Sequence, residues 1–271
     1  MRLLSWNLFH GRDHPPDPAL FTRRSRLLRV TERNATHVQV NRSLRREFAW
    51  RLASERWDVA LLQEAPPRWH RPLRAATGAS GGAVALTSRN ALGVLRGLLA
   101  DWNPDLVGSN EGGSNQLLVR PPWRVAEVRT LLLACRPERR RLLWARLAAE
   151  DGRVVCVGNV HLSTGPPERV AREALAAARA AAAWAGDAPL VLGGDLNLRP
   201  RRSPEAFDRL REELGLAPPT GPAHIDHLLV RGAELAEPPH ALPVEWQELP
   251  AGDGRRLRLS DHPAVVAELA L

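Results

Sequence analysis

The sequence contains no lysine, no tyrosine, only two cysteines and a single methionine. Arginine therefore supplies the basic side chains that give the formal net charge of +8. Codon usage in a GC-rich genome explains most of this arginine, because Ala and Pro are abundant as well. A guanidinium nevertheless pairs well with phosphate, so the positive balance is compatible with polyanionic partners.

The sequence also lacks the features of membrane-spanning and disulfide-rich proteins. No apolar stretch reaches the ~18 residues needed to cross a bilayer. Cys135 and Cys156 each lie inside an apolar run without CxxC spacing, which predicts two buried, reduced thiols. The first residues, MRLLSWNLFHGRD, have neither the long apolar core nor the cleavage site of a signal peptide. We therefore expect a cytoplasmic protein.

A chain of 271 residues could hold one large domain or two small ones. Polar residues that belong together, described below, come from both ends of the chain, so the two halves must share a core. We expect one domain over residues 1–271, present as a monomer. The hydrophobic fraction of 44% is ample for its core.

Short Val/Leu-rich runs predict strands, and longer periodic stretches predict helices. Strands are expected at 1–9, WDVALLQE, GGAVALTS, four successive segments within 114–161, PLVLGGDLN, IDHLLVR and PAVVAEL. Helical patterns cover 166–185 and 204–214, with Arg-rich amphipathic stretches at 20–32 and 42–56. The segment 88–112 is broken by Gly, Asn and Pro, which predicts loops. RRLLWARLAAE could be a helix, but the following Asp151-Gly152 favours a hairpin.

Acids, amides and histidines follow the ends of these predicted strands. They lie in SWNLF (Asn7), VALLQE (Glu64), VGNVHL (Asn159 and His161), LGGDLN (Asp195 and Asn197), HIDHLLV (Asp226) and LSDHP (Asp261 and His262). Side chains at strand ends should emerge together at one rim of a sheet. A rim rich in oxygen ligands and histidine, without a nearby Ser or Cys nucleophile, indicates metal-assisted attack by water.

Each of these residues also has a structural interpretation. Glu64 follows a buried run and must be paired, hydrogen-bonded or metal-bound, so a salt bridge to an arginine is the alternative. Asn7 is either a loop cap or an oxygen ligand for a hard cation such as Mg²⁺. Asp195 and Asn197 could hold a water and a phosphoryl oxygen, or simply form a turn. His262 could be a general base, a metal ligand or a surface histidine, and Asp226 could fix its tautomer.

Two further patterns compete with these interpretations. In HIDH, alternation places His224 and Asp226 on one face and His227 on the other, which resembles part of a zinc site. No cysteine or second HxH pair completes four ligands, so a packed His227 is favoured. Rings and positive charge alternate around Trp69, and again at Trp102, as in a strand-binding groove, although packing is the commoner role of tryptophan.

The motifs SWN, LQE, GNVHL, GGDLN, ID and SDH, in this order, resemble the endonuclease/exonuclease/phosphatase (DNase I-like) superfamily. The resemblance runs from Asn7 to His262 and aligns EGGSNQLLVR with the family's Gly-Asn strand. It implies a four-layer α/β sandwich, in which two packed, mainly antiparallel sheets are flanked by helices. It also implies hydrolysis of phosphate esters with a divalent cation, Mg²⁺ or alternatively Mn²⁺.

The resemblance assigns a role to each motif residue. Asn7, Glu64 and Asp261 would belong to the metal site. His262 would be the base or a phosphate partner, oriented by Asp226. Asp195, with help from Asn197, would position or deprotonate the attacking water. Phosphoryl oxygens would be bound by Asn159, His161 and Asn197.

Departures from the family pattern narrow the expected substrate. Tyrosine is absent, SWNLFHGRDHPPD lacks the usual Gly-Leu-Arg continuation, and LQEAP lacks the usual Thr and Lys of abasic-site endonucleases. GNVHLSTGPP instead resembles the branch with secreted nucleases and sphingomyelinase-like phosphodiesterases. We expect a nuclease acting on DNA or RNA. The alternatives are a phosphatase, a phosphodiesterase acting on a lipid head group, and a catalytically inactive binding module of the same fold.

Overall fold

The computed structural model describes residues 1–271 as two large β-sheets with helices on their outer faces. The strands, in chain order, are β1 (Arg2–Asn7), β2 (Glu32–Arg33), β3 (Val38–Gln39), β4 (Val59–Gln63), β5 (Gly81–Leu86), β6 (Ser114–Val119), β7 (Trp123–Ala134), β8 (Arg140–Ala149), β9 (Val154–His161), β10 (Leu190–Asp195), β11 (Asp226–Arg231), β12 (Glu234–Ala241), β13 (Glu248–Pro250), β14 (Arg256–Arg258) and β15 (Val265–Ala270).

Seven α-helices connect these strands. They are α1 (Arg23–Leu28), α2 (Arg45–Ser54), α3 (His70–Thr77), α4 (Gly93–Trp102), α5 (Pro104–Val107), α6 (Pro167–Ala185) and α7 (Pro204–Leu214). Short 3-10 turns occupy Phe9–Gly11, Pro18–Leu20, Pro67–Trp69 and Val244–Gln247. None of the helices is both long enough and apolar enough to cross a membrane.

The first sheet has six strands in the order β12-β15-β1-β4-β6-β5, and the second has five in the order β11-β10-β9-β8-β7. Parallel pairing occurs only at the centre of each sheet, between β1 and β4 and between β9 and β10. The first and last long strands are neighbours, with Leu3 opposite Ala267. Both ends of the chain therefore contribute to the same sheet.

Three buried apolar clusters mark the three interfaces of a four-layer sandwich. Residues between the two sheets include Leu61 and Val157. On the outer face of the first sheet, Phe48 of α2 packs near Trp6. On the outer face of the second sheet, α6 and α7 cover Trp144 and its neighbours. Burial of both faces of each sheet explains why the central strands are almost entirely apolar. The predicted fold class is confirmed.

Strand alternation decides which side chain enters which layer. In β1, Leu3 lies in the cluster between the sheets, whereas Leu4 and Trp6 lie in the cluster against α2 and α3. The close pairing of β9 and β10 requires glycine at position 194, because a Cβ there would collide with the backbone carbonyl oxygen of Val160. Its φ of +125° also favours glycine.

Most predicted elements are present. The helix expected over 166–185 spans Pro167–Ala185, and the helix expected at 204–214 spans those residues. RRLLWARLAAE is the strand β8, as the hairpin signal predicted. The Arg-rich stretches form shorter helices than expected, α1 and α2.

Two predictions are wrong. The segment 88–112 contains two helices rather than loops, because Gly97 allows α4 to lie against the side chains of Arg68 and Glu111, and Pro104 begins α5 after the Asn103 cap. Cys135 is exposed and only Cys156 is buried, because β7 has one face open to solvent at its end.

Candidate active site

The polar strand-end residues meet at one rim of the sandwich. Asn7, His161 and Asp195 are the last residues of β1, β9 and β10, and Glu64 follows β4. Asp226 begins β11, which runs antiparallel to β10, so it is directly opposite Asp195 in the sheet register. The amide Nδ2 of Asn7 donates to Asp195 Oδ2 at 3.2 Å, which joins the two sheets at this rim.

A histidine–carboxylate pair lies at the centre of the rim. His262 Nδ1 donates to Asp226 Oδ2 at 2.8 Å. Burial lowers the pKa of His262, but the hydrogen bond to Asp226 and the charges of Asp226, Asp195 and Asp261 outweigh it and raise the pKa to about 10. The ring is therefore an imidazolium at neutral pH, with its Nε2–H directed into the site.

Asp195 Oδ2 is the atom on which the site converges. It lies 3.2 Å from Asn7 Nδ2, 3.5 Å from His161 Nε2 and 3.9 Å from His262 Nε2. Its other oxygen accepts the backbone N–H of Asn197 at 3.0 Å. Burial raises the pKa of Asp195, and the neighbouring Asp226 charge raises it further. Such a carboxylate can accept a proton near neutral pH.

His161 is held as a neutral ring by Arg140. The guanidinium donates from Nη1 to His161 Nδ1 at 3.0 Å, so the ring proton resides on Nε2, which faces Asp195. Burial lowers the pKa of His161 well below its usual value, and the charge of Arg140 adds to this effect. His161 can therefore donate one hydrogen bond from Nε2 to an oxygen in the site.

The nearest ionisable neighbours of Glu64 are two histidines rather than an arginine. His10 Nε2 lies 3.4 Å from Glu64 Oε2, and His161 Nε2 lies 3.8 Å from Oε1. Burial and the charge of Asp261 raise the pKa of Glu64 to about 7. The alternative of an arginine salt bridge is wrong, because no guanidinium reaches this carboxylate.

These acids form a donor set suited to a hard divalent cation. Burial raises the pKa of Glu64 and of Asp195; the charge of Asp261 adds to this effect at Glu64, and the charge of Glu64 adds to it at Asp195, so a cation would relieve this repulsion. Asn7 Oδ1 accepts the Phe9 N–H at 3.0 Å and keeps one lone pair. A tighter group also exists, in which ligand atoms of Asp195, Asp226 and His262 lie within 4.8 Å of one another. Since His262 Nδ1 is already bonded to Asp226, we favour the Glu64 side for a metal.

Comparison with known proteins identifies the family of the chain. The family model described as the endonuclease/exonuclease/phosphatase family matches residues 4–262. The chain belongs to this family. Its members hydrolyse phosphoester bonds, and the residues that carried the sequence resemblance lie within the matched range. No curated protein sequence gives a match.

Solved structures share the family fold at low sequence identity. A mannosyl-6-phosphatase from Bacteroides thetaiotaomicron VPI-5482 has a TM-score of 0.66 at 14% identity, with 100% of both chains covered. An endonuclease/exonuclease/phosphatase from Bacteroides vulgatus has a TM-score of 0.63 at 18% identity, covering 100% of this chain and 98% of the other. The human nocturnin catalytic domain, with bound sulfate, has a TM-score of 0.59 at 16% identity, covering 100% and 94%.

Asn159 does not face the site, contrary to the phosphate-binding role that the family resemblance implied. It is fully buried between the sheets, where both Nδ2 protons are donated, to Leu62 O at 3.0 Å and Gln116 O at 2.8 Å. Its Oδ1 accepts from Gln63 at 2.8 Å. Distance from the rim explains the difference, because strand alternation places Asn159 and His161 on the same face but only His161, at the strand end, reaches the rim.

Asn197 and Asp261 occupy the edges of the site. Asn197 has φ of +51° and donates from Nδ2 to Leu162 O at 3.0 Å. It therefore anchors the turn after β10, in addition to its backbone hydrogen bond to Asp195. Asp261 is exposed, with Oδ1 3.9 Å from His262 Nε2. Glu64 at φ +48° and Ser260 at φ +63° are also left-handed. Backbone strain of this kind concentrates at functional sites in proteins.

Two residues of the site were not predicted. Arg140 is hard to single out in the sequence because other arginines surround it. The one available signal is that it begins a strand with buried leucines, a position that favours burial. His10 lies in the tight turn FHG, where positive φ values at Phe9 (+47°) and His10 (+53°) bring the ring to Glu64. The sequence indicates that turn only weakly, because His10 and Gly11 tolerate a left-handed backbone but phenylalanine rarely adopts one.

The zinc interpretation of HIDH is not supported. His227 points away from Asp226 into the α7 layer, where Nε2 lies 3.1 Å from Leu198 O and the ring packs edge-on against Phe207. Nδ1 accepts the Thr220 N–H at 3.2 Å. The predicted packed role of His227 is confirmed, and His224 joins no group of metal-ligating side chains.

The predicted groove around Trp69 is absent. Trp69 is buried beneath Phe48, whereas Trp102 is exposed. Arg68 is occupied by Glu111 and by Asp101, the latter at 3.0 Å. A different cleft, with a volume of about 1170 Å³, opens beside Glu64 and His161. Three arginines line it, namely Arg89, Arg139 and Arg140.

Proposed function

We propose that this protein is a divalent-metal-dependent phosphodiesterase that hydrolyses its substrate by in-line attack of water. The observation that carries the proposal is the convergence on Asp195 Oδ2 of Asn7, His161 and His262, with His262 held by Asp226 at 2.8 Å. This arrangement supplies a proton acceptor and two hydrogen-bond donors within one small volume.

The side chains have distinct tasks in this proposal. Asp195 accepts the proton of the attacking water, since its raised pKa brings it toward neutral pH. His262, as an imidazolium with a pKa of about 10, donates from Nε2 to a phosphoryl oxygen. His161 donates a second hydrogen bond from its neutral ring. We thus infer that Asp195, rather than His262, is the base.

A divalent cation, Mg²⁺ or Mn²⁺, would be held by Glu64 and Asp261 with the oxygen of Asn7. When bound, it would stabilise negative charge that develops on the phosphoryl or leaving oxygen. Glu64 is the strongest candidate ligand because it is a half-buried carboxylate without an arginine partner.

For the substrate, we propose a nucleic-acid strand as the first candidate. The cleft beside Glu64 and His161 is open, polar and lined by three arginines, which suits a chain of phosphates. A phospholipid head group is the second candidate, because the cleft wall at Asn90 and Ala91 leads into the exposed apolar helix α4.

One substrate panel tests the proposal. Plasmid DNA, RNA, bis-p-nitrophenyl phosphate, sphingomyelin and phosphoinositides are incubated with and without Mg²⁺, using Asp195→Asn as the inactive control. Metal-dependent release of product from a phosphodiester that is lost in the variant is the expected result. Equal turnover in excess chelator, or equal turnover by the variant, would contradict the assignment. An inactive binding module would cut none of the five substrates.

A further inference from the structure

The helix α4 is oriented with its small residues inward and its large apolar residues outward. Gly97 and Ala100 are buried against the protein, whereas Val94 is 78% exposed, Leu98 62% and Trp102 53%. Leu92, Leu95 and Leu99 are exposed too. Helices on soluble domains normally place the large apolar side chains toward the core, so this orientation leaves a contiguous apolar surface unpartnered.

The end of α1 extends the same surface. Asn103 Nδ2, just after α4, donates to Arg26 O at 2.9 Å, and the Arg29 guanidinium lies 5.5 Å from the Trp102 ring centroid. Leu27 and Leu28 of α1 are exposed, Leu28 by 69%. We define the docking face as the exposed apolar residues of both helices, namely Leu27, Leu28, Leu92, Val94, Leu95, Leu98, Leu99 and Trp102.

Positive charge borders the docking face. Arg23, Arg24, Arg26 and Arg29 are all exposed, and α1 contains no acid. The nearby acids are already paired with other arginines: Asp101 lies 3.0 Å from Arg68, and Asp105 lies 3.6 Å from Arg12. The border is thus a predominantly positive belt of guanidinium groups.

We propose that the docking face binds the surface of an anionic lipid bilayer. Leucine, valine and tryptophan side chains beside arginines are the combination that inserts into the interface of such a membrane. A second copy of the chain fits less well, because a symmetric contact would oppose the arginine belt to itself. The proposal concerns binding alone and does not depend on which phosphoester is cut.

Binding would also orient the protein. Asn90 and Ala91, which line the cleft, immediately precede Leu92 of the docking face. The mouth of the cleft therefore lies beside the membrane surface when the docking face is bound.

Vesicle co-sedimentation of the full chain tests the proposal. The vesicles are phosphatidylcholine alone or mixed with phosphatidylglycerol, and chelator is present so that no hydrolysis contributes. Strong binding to the mixed vesicles, weakened by salt and weak on phosphatidylcholine, is expected. Trp102→Ala or Leu98→Gln should lower the partition coefficient about tenfold. Each of Arg23→Gln and Arg24→Gln should lower it about fivefold on anionic vesicles only.

Trp50 offers a matched control. It is 56% exposed and has the Arg51 guanidinium 4.9 Å from its ring, as Trp102 has Arg29, but it lies on α2, outside the docking face. Trp50→Ala should leave vesicle binding unchanged. The proposal is refuted if the wild type does not bind anionic vesicles, or if both tryptophan variants lose binding equally. A dimer in sedimentation velocity that Trp102→Ala dissociates, without vesicle binding, would instead assign the face to a second copy.

Discussion

Replacing Asp226 by asparagine should lower the pKa of His262. The pKa of His262 is raised from 6.5 to about 10 in the intact site, against the effect of burial. A shift of this size corresponds to roughly 5 kcal/mol of preference for the imidazolium. Asp226 is the only carboxylate in hydrogen-bond contact with the ring, at 2.8 Å, whereas Asp195 and Asp261 lie 3.9 Å from Nε2.

Most of the increase should therefore disappear in Asp226→Asn. We expect the pKa of His262 to fall by about two units or more, because an opposite charge in contact typically shifts a pKa by ~1–3 units. NMR titration of the His262 ring in the metal-free protein measures this directly. An unchanged pKa would refute the assignment of Asp226 as the residue that holds the imidazolium.

The same pair predicts a pattern in the kinetics. Asp226→Ala and His262→Ala should each lower kcat/KM by about 10²–10⁴-fold, as expected for a lost proton-transfer or charged donor group. The double variant should lose little more than the worse single variant, because the two side chains act as a unit. Losses that multiply would show that they act independently. His227→Ala, which removes a neighbouring ring packed in the α7 layer, should be far milder.

Three other predictions follow from the charges. Glu64→Gln should raise the Mg²⁺ concentration for half-maximal activity without unfolding the protein. Activity measured against Mg²⁺ concentration tests the first part, and circular dichroism tests the second. An unchanged Mg²⁺ concentration for half-maximal activity would exclude Glu64 as a ligand. Burial raises the pKa of Asp13 to about 7, so the free energy of unfolding should decrease as pH rises from about 4 to 7. Asp13→Asn should thus become more stable than wild type by up to roughly 4 kcal/mol at pH 8 in urea denaturation, with no gain at pH 4, and a pH-independent difference would contradict this. Binding of duplex DNA by Asp195→Asn should weaken with salt at a slope of roughly −3 or steeper, made shallower by about one unit in Arg139→Gln; a slope near zero would exclude nucleic acid.

Local patterns in the sequence predict where the strands end, and hence most residues of the candidate site. Glu64, His161 and Asp195 follow apolar runs, and such runs end where a sheet meets solvent, so their convergence is predictable from the sequence alone. The order of the motifs likewise predicted the fold, and the helix at 167–185 is specified by its own alanine-rich composition.

Tertiary packing decided what local patterns could not. Asn159 and His161 share a strand face, and only the distance from the rim separates a buried cross-sheet amide from a site histidine. His10 reaches Glu64 through a left-handed turn in which Phe9 is unexpected, and Arg140 becomes a site residue only because β8 pairs with β9.

The helix α4 shows the same division most clearly. Its apolar composition is evident from the sequence. Whether the leucines or the glycine face the protein depends on the residues against which the helix packs. Here Arg68 and Glu111 leave room only for Gly97, so the leucines are turned toward solvent. Sequence determined which residues could carry chemistry or bury surface, and the packing of one element against another determined which of them did, because burial and contact distance are properties of pairs of elements rather than of one segment.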